Sequence, residues 1–121
     1  MTVTVNLTGS GIPGLTADAI TGFLTNAQTA TGSAQGGQTF PSDLVVFSSS
    51  TANYGPTLPA SAQTGDTYYV SNNTANSMNV WPPVGFAIGS GSTNAALAVP
   101  AGKTAKFISL GNGNWVAIVS A

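Results

Sequence analysis

The stretch Thr104-Ala105-Lys106-Phe107-Ile108-Ser109-Leu110-Gly111-Asn112-Gly113-Asn114-Trp115-Val116-Ala117-Ile118-Val119 decides the fold class. Two runs rich in β-branched and aromatic residues flank Gly-Asn-Gly-Asn. Gly and Asn adopt positive φ at low cost, so the four residues read as a hairpin turn between two antiparallel strands. Trp115, Ala117 and Val119 fall on one face of the second strand, which assigns Trp115 to packing.

Upstream the same grammar repeats. Leu44-Val45-Val46-Phe47 is a continuous apolar run and reads as a buried strand. Gly65-Asp66 opens Thr67-Tyr68-Tyr69-Val70, and Asn72-Asn73 turns the chain. Met78-Asn79-Val80-Trp81 alternates and stops at Pro82-Pro83. Phe86-Ala87-Ile88 sits between Gly85 and Gly89, and Ala96-Leu97-Ala98-Val99 stops at Pro100. Short strands separated by such breakers predict a mainly all-β domain over residues 40–121, an antiparallel β-sandwich or small barrel.

Residues 1–39 read differently, as an N-terminal arm. Val3, Val5 and Leu7 alternate as one face of a strand. Leu15, Ala19, Ile20, Phe23, Leu24 and Ala27 form one apolar stripe and predict a short helix over about 16–30. Thr16 is placed to cap that helix, and Asp18 suits its first turn. Thr31 to Thr39 (TGSAQGGQT) reads as a flexible linker between arm and domain.

Charge is scarce. The 121 residues hold two Lys, three Asp and no Arg, Glu, His or Cys, so 4% of the chain is ionic, against about a quarter in an ordinary domain. Without His or Cys the usual nucleophile–base pairs are missing, and Ser48-Ser49-Ser50 has no base to activate it. Gly89-Ser90-Gly91-Ser92 lacks the Lys and the strand–helix setting of a phosphate loop. Asp66 reads as a turn residue accepting backbone N–H groups, since a hard-cation site needs several oxygen ligands. The expectation is no enzyme, no metal and no cofactor. Two lysines on a chain of net charge -1 cannot supply a phosphate-binding patch, so no nucleic acid is expected. No basic leader and no apolar run of about 20 residues is present, which predicts synthesis in a cytoplasm and no membrane partner. So little charge gives weak colloidal repulsion and points to a working life in an assembly.

An ordered series runs through the second half: Gly65-Asp66-Thr67-Tyr68-Tyr69-Val70-Ser71-Asn72-Asn73, Asn79-Val80-Trp81-Pro82-Pro83, Ala98-Val99-Pro100-Ala101-Gly102-Lys103-Thr104-Ala105-Lys106-Phe107 and Asn114-Trp115-Val116-Ala117. It resembles small tailed-bacteriophage virion proteins of the head decoration (cement) or head-fibre type, with Trp81 where that group has Tyr. The resemblance covers roughly Phe40 to Ala121 and leaves the arm unmatched. It implies a homotrimer on the outer capsid surface of a virion, made in the host cytoplasm, that bridges major capsid protein subunits. On this reading the arm supplies capsid or subunit contacts through Val3, Val5, Leu7, Ile20, Phe23 and Leu24. Lys103 and Lys106 either guard a strand edge as solvated charges or meet an Asp across a subunit or shell boundary. The alternative function is a carbohydrate-binding module of a tail or head fibre, with Tyr54 and Trp81 stacking on a glycan.

Overall fold

The computed structural model describes residues 24–120. Seven strands make up its regular structure: β1 (Leu24–Ala30), β2 (Leu44–Ser50), β3 (Thr67–Asn72), β4 (Met78–Val80), β5 (Leu97–Val99), β6 (Thr104–Ser109) and β7 (Trp115–Val119). Among the described residues the fold is all-β. One five-stranded sheet has the order β1-β2-β3-β6-β7, and β4 and β5 form a second, two-stranded sheet.

The hairpin reading holds. β6 and β7 pair antiparallel with Ser109 opposite Trp115. Gly111 and Gly113 take φ values of 86° and 96°, which a side chain would strain. Leu110 N–H donates to Asn114 O at 3.0 Å and closes the turn.

The antiparallel expectation fails in the other half of the same sheet. β1 pairs with β2, and β2 with β3, in parallel. Parallel neighbours need a crossover, which is usually a helix; here residues 31–43 and 51–66 cross over as loops. These loops carry their own hydrogen bonds. Thr39, Thr57 and Trp81 are joined by successive parallel bridges. Trp81 N–H donates to Pro56 O at 3.1 Å and Leu58 N–H to Trp81 O at 2.9 Å. The chain from Leu24 to Trp81 therefore winds between two parallel ladders, so its crossovers keep their backbone groups paired without helices.

The predicted helix over 16–30 is corrected where it is described, because its last seven residues, Leu24–Ala30, are strand β1. Thr25, Asn26 and Thr29 are weak helix formers, and pairing along β2 outweighs that modest propensity. The rest of the predicted helix, like the strand predicted around Val3 to Leu7, lies outside the described residues. Residues 31–39 also differ from a free linker. Gln38 Oε1 accepts Thr31 N–H at 3.0 Å, its Nε2 donates to Thr29 O at 3.0 Å, and Gly36 N–H donates to Thr57 Oγ1 at 2.7 Å. The five-stranded sheet thus runs across the boundary expected at 39/40. Phe86-Ala87-Ile88 forms a single parallel bridge, Ile88 to Trp115, in place of a strand.

Buried residues of both sheets join one core: Val45, Phe47, Val70, Ala105, Phe107 and Trp115 from the large sheet, Met78, Val80 and Val99 from the small one. Asn72 ties them together. It is 1% exposed, its Nδ2 donates to Asn76 O at 2.8 Å and Val99 O at 2.9 Å, and its Oδ1 accepts from Thr74 N–H and Oγ1. A buried amide with its donors and acceptor engaged stabilises one arrangement of the two sheets. Gly55 serves the same junction, since a Cβ there would run into the Asn79 carbonyl.

Candidate functional site

The large sheet has two faces. Alternation sends Val45, Phe47, Val70, Ala105, Phe107 and Trp115 inward. The opposite face is also rich in apolar residues, and among the described residues it is exposed. Strand register sets Leu24, Leu44, Tyr69, Lys106 and Ile118 side by side in one row across all five strands. The next row joins Thr67, Ile108 and Val116, and a third joins Val46, Ser71 and Thr104. Leu24 is 59% exposed and Ile118 64%, with Tyr69 and Val116 at 36% and 38%. Five strands at about 4.8 Å spacing make this face roughly 20 Å wide. Isolated exposed hydrophobes are ordinary, whereas a contiguous apolar face marks an interaction surface.

One charge interrupts the face. Lys106 is half-buried, and its Nζ lies 5.8 Å from the centroid of the neighbouring Tyr69 ring. The aliphatic stem of Lys106 continues the apolar row, and the Tyr69 ring face partners the ammonium. Lys103 sits elsewhere, in the turn before β6, where its N–H donates to Pro100 O and its carbonyl accepts Asn72 N–H. The structure therefore separates the two lysines by role, one on the open face and one at the turn that closes over Asn72.

Leu24 is the one arm residue from the expected contact set that is described, and it stands at the β1 end of the open row. Val3, Val5, Leu7, Ile20 and Phe23 lie outside the described residues. Tyr54 and Trp81 are not brought together as a stacking pair. Tyr54 packs against the core, whereas Trp81, half-buried, continues the alternation outward from Met78 and Val80. Asp66 behaves as a turn residue, accepting Gln63 N–H on Oδ2 at 2.8 Å. Among the described residues no group of three or more His, Cys, Asp or Glu gathers in one place.

A second concavity was not legible in the chain. Phe40 and Tyr68 meet edge to face at 5.2 Å, and Tyr68 meets Trp115 in the same way at 5.7 Å. Beside this cluster a cavity of about 410 Å3 opens, walled by Leu58, Pro59, Ala60 and Pro83. Burial pushes the Tyr68 hydroxyl pKa above the ordinary tyrosine value of 10.0, and the nearby Asp43 and Asp66 carboxylates push it further.

No family model, curated protein or solved structure matches this chain.

The open sheet face was missed by reading, yet its signal was present. In Trp115-Val116-Ala117-Ile118-Val119 both alternating faces are apolar. A strand with one solvated face alternates apolar with polar, so Val116 and Ile118 already asked for a cover on the second side.

Proposed function

We propose that this chain is a non-catalytic structural protein of a virion exterior, a capsid decoration protein that adheres to major capsid subunits and to its own copies. The observation that carries the reading is the open apolar face of the large sheet, crossed by a single lysine. Its adhesion is hydrophobic, about 25 cal/mol for each Å2 of apolar surface removed from water. Thr67, Ser71 and Thr104 on the same face supply uncharged hydrogen-bonding groups that set register. So little of the contact is Coulombic that salt has small purchase on it. The ordered motif series from Gly65 to Ala117 supports the phage assignment, and the resemblance supports a trimer. A glycan-binding role has less support, because Tyr54 turns to the core and leaves Trp81 as a single ring.

The test is reconstitution on heads of the parent phage assembled without this chain. Saturable binding at a fixed ratio to the major capsid protein is expected, together with a solution mass three times the 12.0 kDa of one chain. Absence of binding, or binding only to immobilised glycans with loss on Trp81→Ala, would overturn the reading.

A further inference from the structure

The cavity beside Tyr68 lies on the other side of the large sheet from the open face, since Tyr68 packs against the core and its neighbour Tyr69 points outward. We propose that this cavity is a binding site for a small, uncharged, mainly hydrocarbon ring compound bearing one hydroxyl or carbonyl group. The proposal is independent of capsid attachment.

Size and shape come first. About 410 Å3 falls within the few hundred to a thousand Å3 typical of small-molecule sites. The walls are preformed. Pro59 and Pro83 have fixed φ, and the backbone behind them is pinned by the Thr57–Trp81 bridge and the Leu58–Trp81 hydrogen bond. Gln35 Nε2 donates to Pro82 O at 2.7 Å and holds the neighbouring loop against the same corner. Val84 stands at the rim with 72% of its surface exposed, a value that a ligand seated against it would lower.

The lining then selects the chemistry. No carboxylate or amine is among the lining side chains, so a charged ligand would enter without a counter-ion. An anion is disfavoured further, because the Asp43 and Asp66 carboxylates already oppose negative charge at Tyr68. Polar groups are few. The lining carries three hydroxyls, those of Thr39, Thr57 and Tyr68, and Thr57 Oγ1 already accepts Gly36 N–H. These few hydroxyls on an otherwise apolar wall can serve one polar group of a ligand. A sugar would strand most of its hydroxyls against proline, leucine and phenylalanine, and each buried unpaired hydroxyl is costly. The Phe40 and Tyr68 rings offer an edge and a face to a ring of ligand size.

The experiment is a two-dimensional amide NMR titration of the full chain with cyclohexanol, with benzoate and methyl α-glucoside as comparison probes. Cyclohexanol is expected to shift the amides of Phe40, Ala60, Tyr68 and Val84 saturably, and the other two probes to leave them unmoved. Tyr68→Phe removes one oxygen and is expected to weaken cyclohexanol binding about fivefold, the worth of one hydrogen bond. Ala60→Trp places a ring over the exposed rim position and is expected to abolish the shifts. The proposal fails if cyclohexanol produces no saturable shift, if the shifts centre on Val116 and Ile118, or if benzoate or the glucoside binds more tightly. Unchanged affinity both in Tyr68→Phe and in Thr39→Val would leave the ligand's polar group without a partner and overturn the stated ligand class.

Discussion

The two faces of the five-stranded sheet are both apolar, but they differ in what meets them. The inner face is covered by β4, β5 and the crossover loops, apart from the cavity beside Tyr68, with Val45, Phe47, Val70, Ala105 and Phe107 fully buried. The outer face, from Leu24 through Tyr69 to Ile118, leaves Leu24 and Ile118 more than half exposed and Tyr69 and Val116 partly so among the described residues. The same residue types therefore do two jobs. Inward they stabilise the domain, because their burial is complete within the chain. Outward their burial is incomplete within the chain, so they contribute less to folding, and on the proposed reading they are what a partner would cover.

This contrast breaks first, and most strongly, at the inner face. Phe107→Ala is expected to lower unfolding free energy by about 3–5 kcal/mol, the usual cost of emptying a phenylalanine-sized volume in a core. Urea denaturation followed by tryptophan fluorescence measures it. Equal losses from Phe107→Ala and from Ile118→Ala would erase the distinction between the faces.

Asn72 gives the next largest effect. Asn72→Ala leaves Val99 O and Asn76 O without their amide donor and is expected to cost about 2–3 kcal/mol, the upper part of the range for stranding buried polar groups. Hydrogen exchange sharpens the point, because amides of β4 and β5 should lose protection before those of β6 and β7.

Smaller still is the outer face. Val116→Ser with Ile118→Ser is expected to cost far less than Phe107→Ala, about 1 kcal/mol, because Ile118 is mostly and Val116 partly exposed. The same double variant should lose self-association, measured as a fall in mass by light scattering.

The smallest effect is a pH dependence at the margin of the core. Tyr68 holds its proton more tightly in the folded state than in the unfolded chain. Its contribution is fully present below the ordinary tyrosine pKa of 10.0 and is lost as pH rises through the higher folded value. Stability should be flat in Tyr68→Phe across that alkaline window where the wild type declines. A matching decline in both proteins would assign the effect elsewhere.

Legibility followed the same division. The β6–β7 hairpin could be read because Gly111-Asn112-Gly113-Asn114 encodes its own turn and the strands are adjacent in sequence. β2, β3, β4 and β5 were visible as apolar runs, but a strand's period carries no direction. The parallel pairing of β1, β2 and β3 depends on loops whose hydrogen bonds, such as Gly36 to Thr57 and Gly55 to Gly32, join distant positions. TGSAQGGQT has the composition of a tether, and its Gly32 instead allows close approach to the second crossover at Gly55. Leu24–Ala30 carried apolar residues at helical spacing, and only its pairing with β2 made it a strand. Of the expected site, Leu24 and Lys106 fall on the open face. The row that joins them needed the register of three strand pairs, which composition cannot supply.

The claim that the outer face is the adhesive one is tested most directly by cosedimentation with heads lacking this chain, wild type against Val116→Ser/Ile118→Ser. The titration is run at low salt and again at about 1 M NaCl, where the screening length is ~3 Å. The account predicts wild-type binding that persists at high salt and a double variant that stays folded but remains in the supernatant. Equal binding by both proteins, or wild-type binding that vanishes at high salt, would contradict it.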